Sequence, residues 1–220
     1  MVLFKFLIFL LGNIMTAAYV RELSIVTVEQ QECRSVLTTP ALAVQFPLQQ
    51  EDKELIAAMK HKLQALGGVG LAAPQINYGK QIIAIYIPEE ASLLRDNVHP
   101  YPMHIMLNPV YQPVEEIGIS YDFEGCYSVS SKSGKVPRYN QIALSYYDEN
   151  GQQHQQIEQG FYARVLQHEI DHLQGVLIID RLTPNCVQGP IAEMMALRRA
   201  ELSNEKKIIF DQVMEKKIRK

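Results

Sequence analysis

The chain has 220 residues, a net charge of −3, 47% hydrophobic and 20% charged residues. Those values suit one soluble globular domain and exclude a disordered chain or a bulk nucleic-acid binder. The three cysteines, Cys33, Cys126 and Cys186, are too few and odd in number for a disulfide framework, so they point to a reducing compartment and leave a thiolate available as a ligand.

Residues 1–20 carry a short apolar run, Phe6 to Leu11, after Lys5. The run is too short to span a bilayer unaided. We read the segment as a start-site artefact, with Met15 the true start and 1–14 not part of the protein, or as a dispensable extension, in preference to a membrane anchor or a weak signal with small residues at Thr16, Ala17 and Ala18. A single domain is expected over 21–220. Ser24 to Val28 reads as a β-rich run. Residues 51–66 form an amphipathic helix with Leu55, Ile56, Met59, Leu63 and Leu66 on one face, ended by Gly67-Gly68. His61 in it is a surface histidine. The stretch from Gly67 to Gln75 is neither a phosphate loop nor a dinucleotide fingerprint, because no Lys-Ser/Thr follows and Pro74 interrupts it. Its plain reading is a helix-to-strand connection. Its chemical reading is a close backbone approach with the Gln75 amide placed to donate to a reacting oxygen.

Residues 81–87 form a buried strand, 88–102 a loop, and 104–111 a strand stopped by Asn108-Pro109. His99 and His104 read as loop or strand-edge residues. Ile119 to Val129 starts as a strand and breaks at Gly125, as a bulge or a sharp turn does. Cys126 there is a small buried hydrophobe or a ligand, and its polar, irregular surroundings favour the ligand. Residues 130–135 read as a flexible loop. Gln141–Asp148 and Gln152–Gln159 form a hairpin, with His154 exposed. Gly160 opens a helix whose apolar face is Phe161, Val165, Leu166, Ile170 and Leu173, closed by Gly175. Residues 176–182 read as a short strand. One long C-terminal helix follows Gly189-Pro190, and from Leu197 to Lys220 it carries eight Lys or Arg against four Asp or Glu.

That helix before Gly175 holds His168-Glu169-Ile170-Asp171-His172. His-Glu-x-x-His puts two imidazoles one turn apart on one face, where they bind a single divalent metal, with the glutamate beside them as proton carrier. Chance occurrence on a solvated face is the competing reading, which a core-docked helix weakens. Cys126 is the candidate third ligand. Three protein ligands leave an open position, as in catalytic rather than structural sites. Such a site activates water for attack on a carbonyl carbon. Glu169 carries the proton to a leaving amine, and Gln75 with the Tyr127 backbone N–H holds the oxyanion. The set describes amide hydrolysis.

Gly68-Val69-Gly70-Leu71-Ala72-Ala73-Pro74-Gln75, Glu124-Gly125-Cys126-Tyr127-Ser128 and Gln167-His168-Glu169-Ile170-Asp171-His172 resemble the three signature motifs of peptide deformylase, in the same order. The resemblance runs from about Ser24 to Leu182. It implies an α+β fold, antiparallel β-sheets wrapped around a central His-Glu-x-x-His helix, with a helix in the N-terminal half and one at the C-terminus. It implies removal of the formyl group from the formyl-methionyl end of nascent polypeptides in the cytoplasm. By the same resemblance Cys126, His168 and His172 hold the metal, Fe²⁺ ahead of Zn²⁺, Ni²⁺ or Co²⁺. Glu169, Gln75 and the Tyr127 amide do the chemistry, Val69, Gly70 and Tyr127 line the substrate groove, and Glu124 pairs with Arg138 behind the cysteine loop. The chain is expected to be monomeric, with no DNA partner, and the basic C-terminal helix is a candidate ribosome contact. There are departures. Tyr127 stands where the family usually has Leu, Ser130-Ser131 replaces Pro-Glu, and the N-terminal segment is atypical of bacterial members. A zinc peptidase is disfavoured because no third His or Glu follows His172 at peptidase spacing. A non-catalytic binder of formylated ends or ribosomes rests only on Tyr127 and Ser130-Ser131.

Overall fold

The computed structural model describes residues 23–95 and 98–218; the expected extension 1–20 lies outside them. In chain order the helices are α1 (Arg34–Thr38), α2 (Gln50–Leu66), α3 (Ala91–Leu94), α4 (Gly160–Leu173), α5 (Ile178–Arg181), α6 (Ile191–Glu201) and α7 (Asn204–Ile218). The strands are β1 (Gly70–Ala72), β2 (Ile82–Ile87), β3 (Tyr101–Pro113), β4 (Ile119–Cys126), β5 (Val129–Tyr139), β6 (Gln141–Tyr147), β7 (Gln153–Gln159) and β8 (Gln188–Gly189).

A five-stranded sheet runs β1-β2-β3-β6-β7 and a three-stranded sheet runs β4-β5-β8, antiparallel throughout. The larger sheet lies between two helices. Ile82 and Ala84 of β2 pack with Leu55, Ile56, Met59 and Leu63 of α2. Ile83, Ile85 and Ile87, pointing the other way, pack with Val165, Leu166, Ile170 and Leu173 of α4. Both faces being covered explains the unbroken apolar run of β2. α2 begins with Glu51 and Asp52 in its first turn and ends on Gly67 at φ 63°, a left-handed cap that glycine adopts without steric cost. A third apolar cluster joins Val26, Val28 and Leu37 to Val129, Val136, Leu177 and Ile178.

Five expectations are corrected. Ser24–Val28 is not a strand: Val26 N–H bonds the Gln75 carbonyl and Val28 N–H the Ser128 carbonyl, each at 2.9 Å, so one segment joins two different partners. Asn108-Pro109 does not stop β3. Asn108 sits at φ 50°, the register shifts between Leu107 and Val110, and the Asn108 side chain takes the Val44 backbone N–H at 2.7 Å and donates to its carbonyl at 2.9 Å. The bulge absorbs the proline's missing donor. Residues 130–135 are ladder, not loop. Phe123 pairs with Lys135 and Glu124 with Gly134, and a Cβ on Gly134 would collide with the Val187 backbone beside β8. Residues 176–182 hold α5, opened by an Asp180 Oδ2 that accepts the Leu177 N–H at 2.8 Å; a short apolar run is ambiguous without its tertiary partner. The single C-terminal helix is two, α6 and α7, broken at Leu202. His104 and His154 also differ from expectation. His104 lies within central β3, its Nε2 2.8 Å from Tyr162 Oη, and His154 is half-buried, stacked on Tyr146 and 3.1 Å from Asp148.

Candidate metal centre and active site

α4 is amphipathic in an unusual sense, since the apolar residues from Tyr162 onward and also Arg164, Gln167, Glu169, Asp171 and His172 are buried. Buried polar groups need partners, and here they build the site. Gln167 takes the Tyr139 N–H and donates to the Tyr139 carbonyl, both at 2.9 Å, fixing the end of β5 to the helix.

Cys126 arrives from the other sheet. It is the last residue of β4, paired with Val129 across a tight turn, and the register shifts between Glu124 and Cys126. Of the two readings of Gly125, a bulge or a sharp turn, the register shift is the bulge. The thiol Sγ lies 3.3 Å from His172 Nε2 and receives the Ser128 N–H at 3.4 Å. One donor atom each from Cys126, His168 and His172 lie within 4.8 Å of one another.

Glu124 organises the layer behind. Its Oε2 is 2.9 Å from His168 Nδ1, which leaves that ring's Nε2 for a metal. Arg138 grips the same carboxylate bidentately at 3.1 and 2.9 Å, and Arg164 adds a bond at 2.7 Å. Arg138 also reaches Asp171 on α4, and Asp171 is held by Arg181 at 2.5 Å through each oxygen. Burial alone would raise the pKa of Glu124, but the Arg138 charge and the His168 bond hold it well below the carboxylate range. Burial works against charge on His168 too, yet its bonds to Cys126 and Glu124 raise its pKa, while burial and the neighbouring His168 charge lower that of His172.

Glu169 is different. Burial pushes its pKa up to about 7, and its Oε2 has no hydrogen-bond partner among the described residues. Its side chain lies where a Cβ on Gly70 would be, so glycine is required for the carboxylate to rest on the backbone of β1. Gln75 sits on a 3₁₀ turn, Ala73–Ile76, opened by Pro74. Its Oε1 accepts the Ala72 N–H at 2.9 Å, which aims Nε2 at Cys126 Sγ, 3.6 Å away. Val69 is half-buried against the apolar cluster that holds α4, and Tyr127 follows Cys126 at the turn. Arg164, Asp171, Arg181 and Gln167 were not singled out from sequence. The available signal was several ionisable residues on a helix whose neighbours bury it.

A sequence profile of polypeptide deformylase matches residues 23–188. The chain belongs to the polypeptide deformylase family. The members are metal-dependent hydrolases that remove N-formyl groups. Peptide deformylase 2 of Rickettsia conorii is 37% identical over 198 residues, 88% of this chain and 96% of that protein. Peptide deformylase 2 of Pseudomonas syringae pv. tomato is 41% identical over 133 residues, 60% of this chain and 73% of that protein. Among solved structures, the Met-Ala-Ser-bound class I type b peptide deformylase of Acinetobacter baumannii superposes with a TM-score of 0.63 at 26% identity, covering 73% of this chain and 98% of the other. The actinonin complex from Synechococcus elongatus gives 0.62 at 31% identity, covering 74% and 80%. These likenesses carry the mixed fold of helices and antiparallel sheets.

Proposed function

We propose that this chain hydrolyses the formyl amide of formyl-methionyl nascent peptides, with Cys126, His168 and His172 holding one divalent ion. The observation that carries the reading is the convergence of three separate stretches on one point: the cysteine turn, α4 with its two histidines and the buried Glu169 carboxyl, and the Gln75 amide. The donor set fits a metal. One thiolate and two imidazole nitrogens are close enough to share an ion, one imidazole is oriented by a carboxylate, and no carboxylate competes among the three donors. Fe²⁺ is our assignment, with Zn²⁺, Ni²⁺ and Co²⁺ as substitutes the same donors accept. Such an ion supplies Lewis-acid activation of water near neutral pH.

The chain's own groups do the rest. Gln75 Nε2 and the Tyr127 N–H hold the formyl oxygen as negative charge develops on it. Glu169 Oε2 accepts the proton from water and passes it to the amide nitrogen as the C–N bond breaks, giving formate and a free amine. A pKa near neutrality suits a group that must gain and lose a proton in each cycle. Val69 and Gly70 border the groove, and the Glu124–Arg138 pair holds the cysteine hairpin and His168 in register. The Acinetobacter relative has been solved with Met-Ala-Ser bound, which supports a peptide product of this kind.

The proposed organisation is a single catalytic domain over 21–220 after a dispensable 1–20, monomeric and cytoplasmic, with ribosome contact through the basic C-terminal helices and no DNA partner. No described helix is long and apolar enough to cross a membrane. The test is an anaerobic assay of Fe²⁺-loaded protein on formyl-Met-Ala-Ser with metal analysis of the same sample. Formate release in proportion to bound metal is expected; cleavage of unformylated peptides with formyl substrates inert would instead establish a peptidase.

A further inference from the structure

The proposed reaction uses the backbone of Tyr127 but not its ring. That ring leaves the cysteine turn and crosses to the opposite side of the site. Tyr127 Oη donates to the Leu66 carbonyl at 3.3 Å, at the C-terminal end of α2. A Cβ on Gly68 would lie 2.6 Å from Tyr127 Oη and 3.0 Å from its Cε2, so Gly68 is the surface on which the ring rests. Two residues later Gly70 carries Glu169 in the same way. The ring and the reacting carboxyl thus lie against one short run of backbone. Gln75 is 1% exposed and Tyr127 36%, which puts the ring at the rim and the oxyanion donor at the floor.

The wall the ring touches leads into an edge strand. β1 pairs with β2 on one side and no strand covers its other edge among the described residues. Extended peptides dock on such edges through main-chain hydrogen bonds, and this edge begins at Gly70, beside Glu169. A chain entering along it toward the metal ligands meets the tyrosine ring first.

We infer that the Tyr127 side chain is a strap across the peptide groove, and that it sets specificity by having to swing off Gly68 and Leu66 before a formylated peptide can seat. The inference rests on the deformylase reading. Opening the strap breaks the Tyr127–Leu66 bond and separates the ring from Gly68. The cost falls on substrates that continue beyond the first residue. Formyl-methionine, which needs only the floor of the site, escapes it.

Three variants separate the parts of the strap. Tyr127→Leu removes it, Tyr127→Phe removes only its bond, and Gly68→Ala dislodges the ring with a methyl group while leaving Tyr127 in place. With Fe²⁺ loading matched, Tyr127→Leu and Gly68→Ala are expected to raise kcat/KM on formyl-Met-Ala-Ser by about five- to tenfold, the worth of a modest hydrogen bond together with the ring's packing on Gly68. The gain should come mainly through KM, with a smaller gain in Tyr127→Phe, and in Gly68→Ala, which leaves every reacting group in place, turnover of formyl-methionine should change by less than about twofold. An unchanged or reduced preference for the tripeptide in either Tyr127→Leu or Gly68→Ala overturns the strap. Calorimetric binding of Met-Ala-Ser to the same samples reads the groove without turnover: tighter binding in both variants supports the strap and an unchanged Kd overturns it. A metal-loaded wild-type protein that binds Met-Ala-Ser yet releases no formate sinks the deformylase reading alone, and the strap is then judged on the Kd values.

Discussion

Burial decides what Glu169 can do. A solvated glutamate is ionised at neutral pH and a poor proton donor; one pushed up to about 7 exchanges its proton freely there. Removing it takes away the proposed proton carrier and leaves Cys126, His168 and His172 untouched. Glu169→Ala is therefore expected to retain its metal and lose turnover by about 10²- to 10⁴-fold, the usual range for a positioned acid-base; metal analysis and formate assay on one preparation check it, and undiminished activity would refute the role. Glu124 acts one layer further out. It orients His168 and neutralises Arg138 and Arg164. Glu124→Ala should weaken metal affinity by about 10- to 100-fold, as loss of a ligand's orienting partner does. It should also destabilise the fold by about 3–5 kcal/mol, because two buried guanidinium groups lose their carboxylate. Metal titration and denaturant unfolding separate the two effects.

Two elements bring the site together, and each has a support that can be removed. The β4–β5 hairpin carries Cys126. The segment before α1 clamps its tip: Val28 bonds Ser128, and the Glu29 carboxylate takes the Ser130 N–H at 3.0 Å and the Ser131 N–H at 3.1 Å. A proline at 130, usual in the family this chain resembles, has no N–H to offer, so Ser130 makes a contact that the departure itself permits. Although burial opposes it, the bonds from backbone N–H groups and from Ser131 hold the Glu29 pKa down to about 2. A folded pKa below the unfolded value of about 4.3 gives stability that is present above that value and lost as pH falls toward 2. Glu29→Gln should accordingly lower Tm at pH 7, with the gap from wild type closing between about pH 4 and pH 2; a gap constant across that window would reject the clamp. On the other side of the large sheet, α2 is held by fully buried Met59 and Leu63. Met59→Ala is expected to cost about 2–5 kcal/mol in urea unfolding, through lost transfer energy and a cavity the sheet cannot collapse into.

At the scale of the whole molecule, catalytic and peripheral parts are separable. The family match ends at residue 188, before α6. α7 packs on α3 and α6, anchored by buried Phe210 and by Arg199, which pairs with Asp211 through two bonds of 2.7 Å. None of these contacts reaches Cys126, His168 or His172. Deleting residues 205–220 should therefore leave formate release by the purified protein intact. If the basic C-terminal end is a ribosome contact, the same deletion abolishes co-sedimentation with ribosomes at low salt, where basic segments bind nucleic acid most strongly. Unchanged co-sedimentation would count against that contact.

The sequence by itself determined the candidate donor residues, their order and the helix that carries two of them. Spacing of four residues places His168 and His172 on one face whatever surrounds them, and the apolar positions of α2, β2 and α4 follow local periodicity. It also showed Gly125 as a break, because glycine next to a chemically useful cysteine is a local signal. Only the tertiary structure decided the rest. SSKSGK became strand because β4 and β8 pair with it from both sides, and VLIIDRL became a helix because Asp180 caps it and Asp171 holds its Arg181. Asp171, Arg164 and Arg181 acquire meaning from long-range charge pairing, and Glu169 acquires its proton affinity from exclusion of water. The reach of the Tyr127 ring to Leu66 belongs to the same class: a contact between residues 61 positions apart depends on how the hairpin docks against the end of α2, which no local pattern encodes.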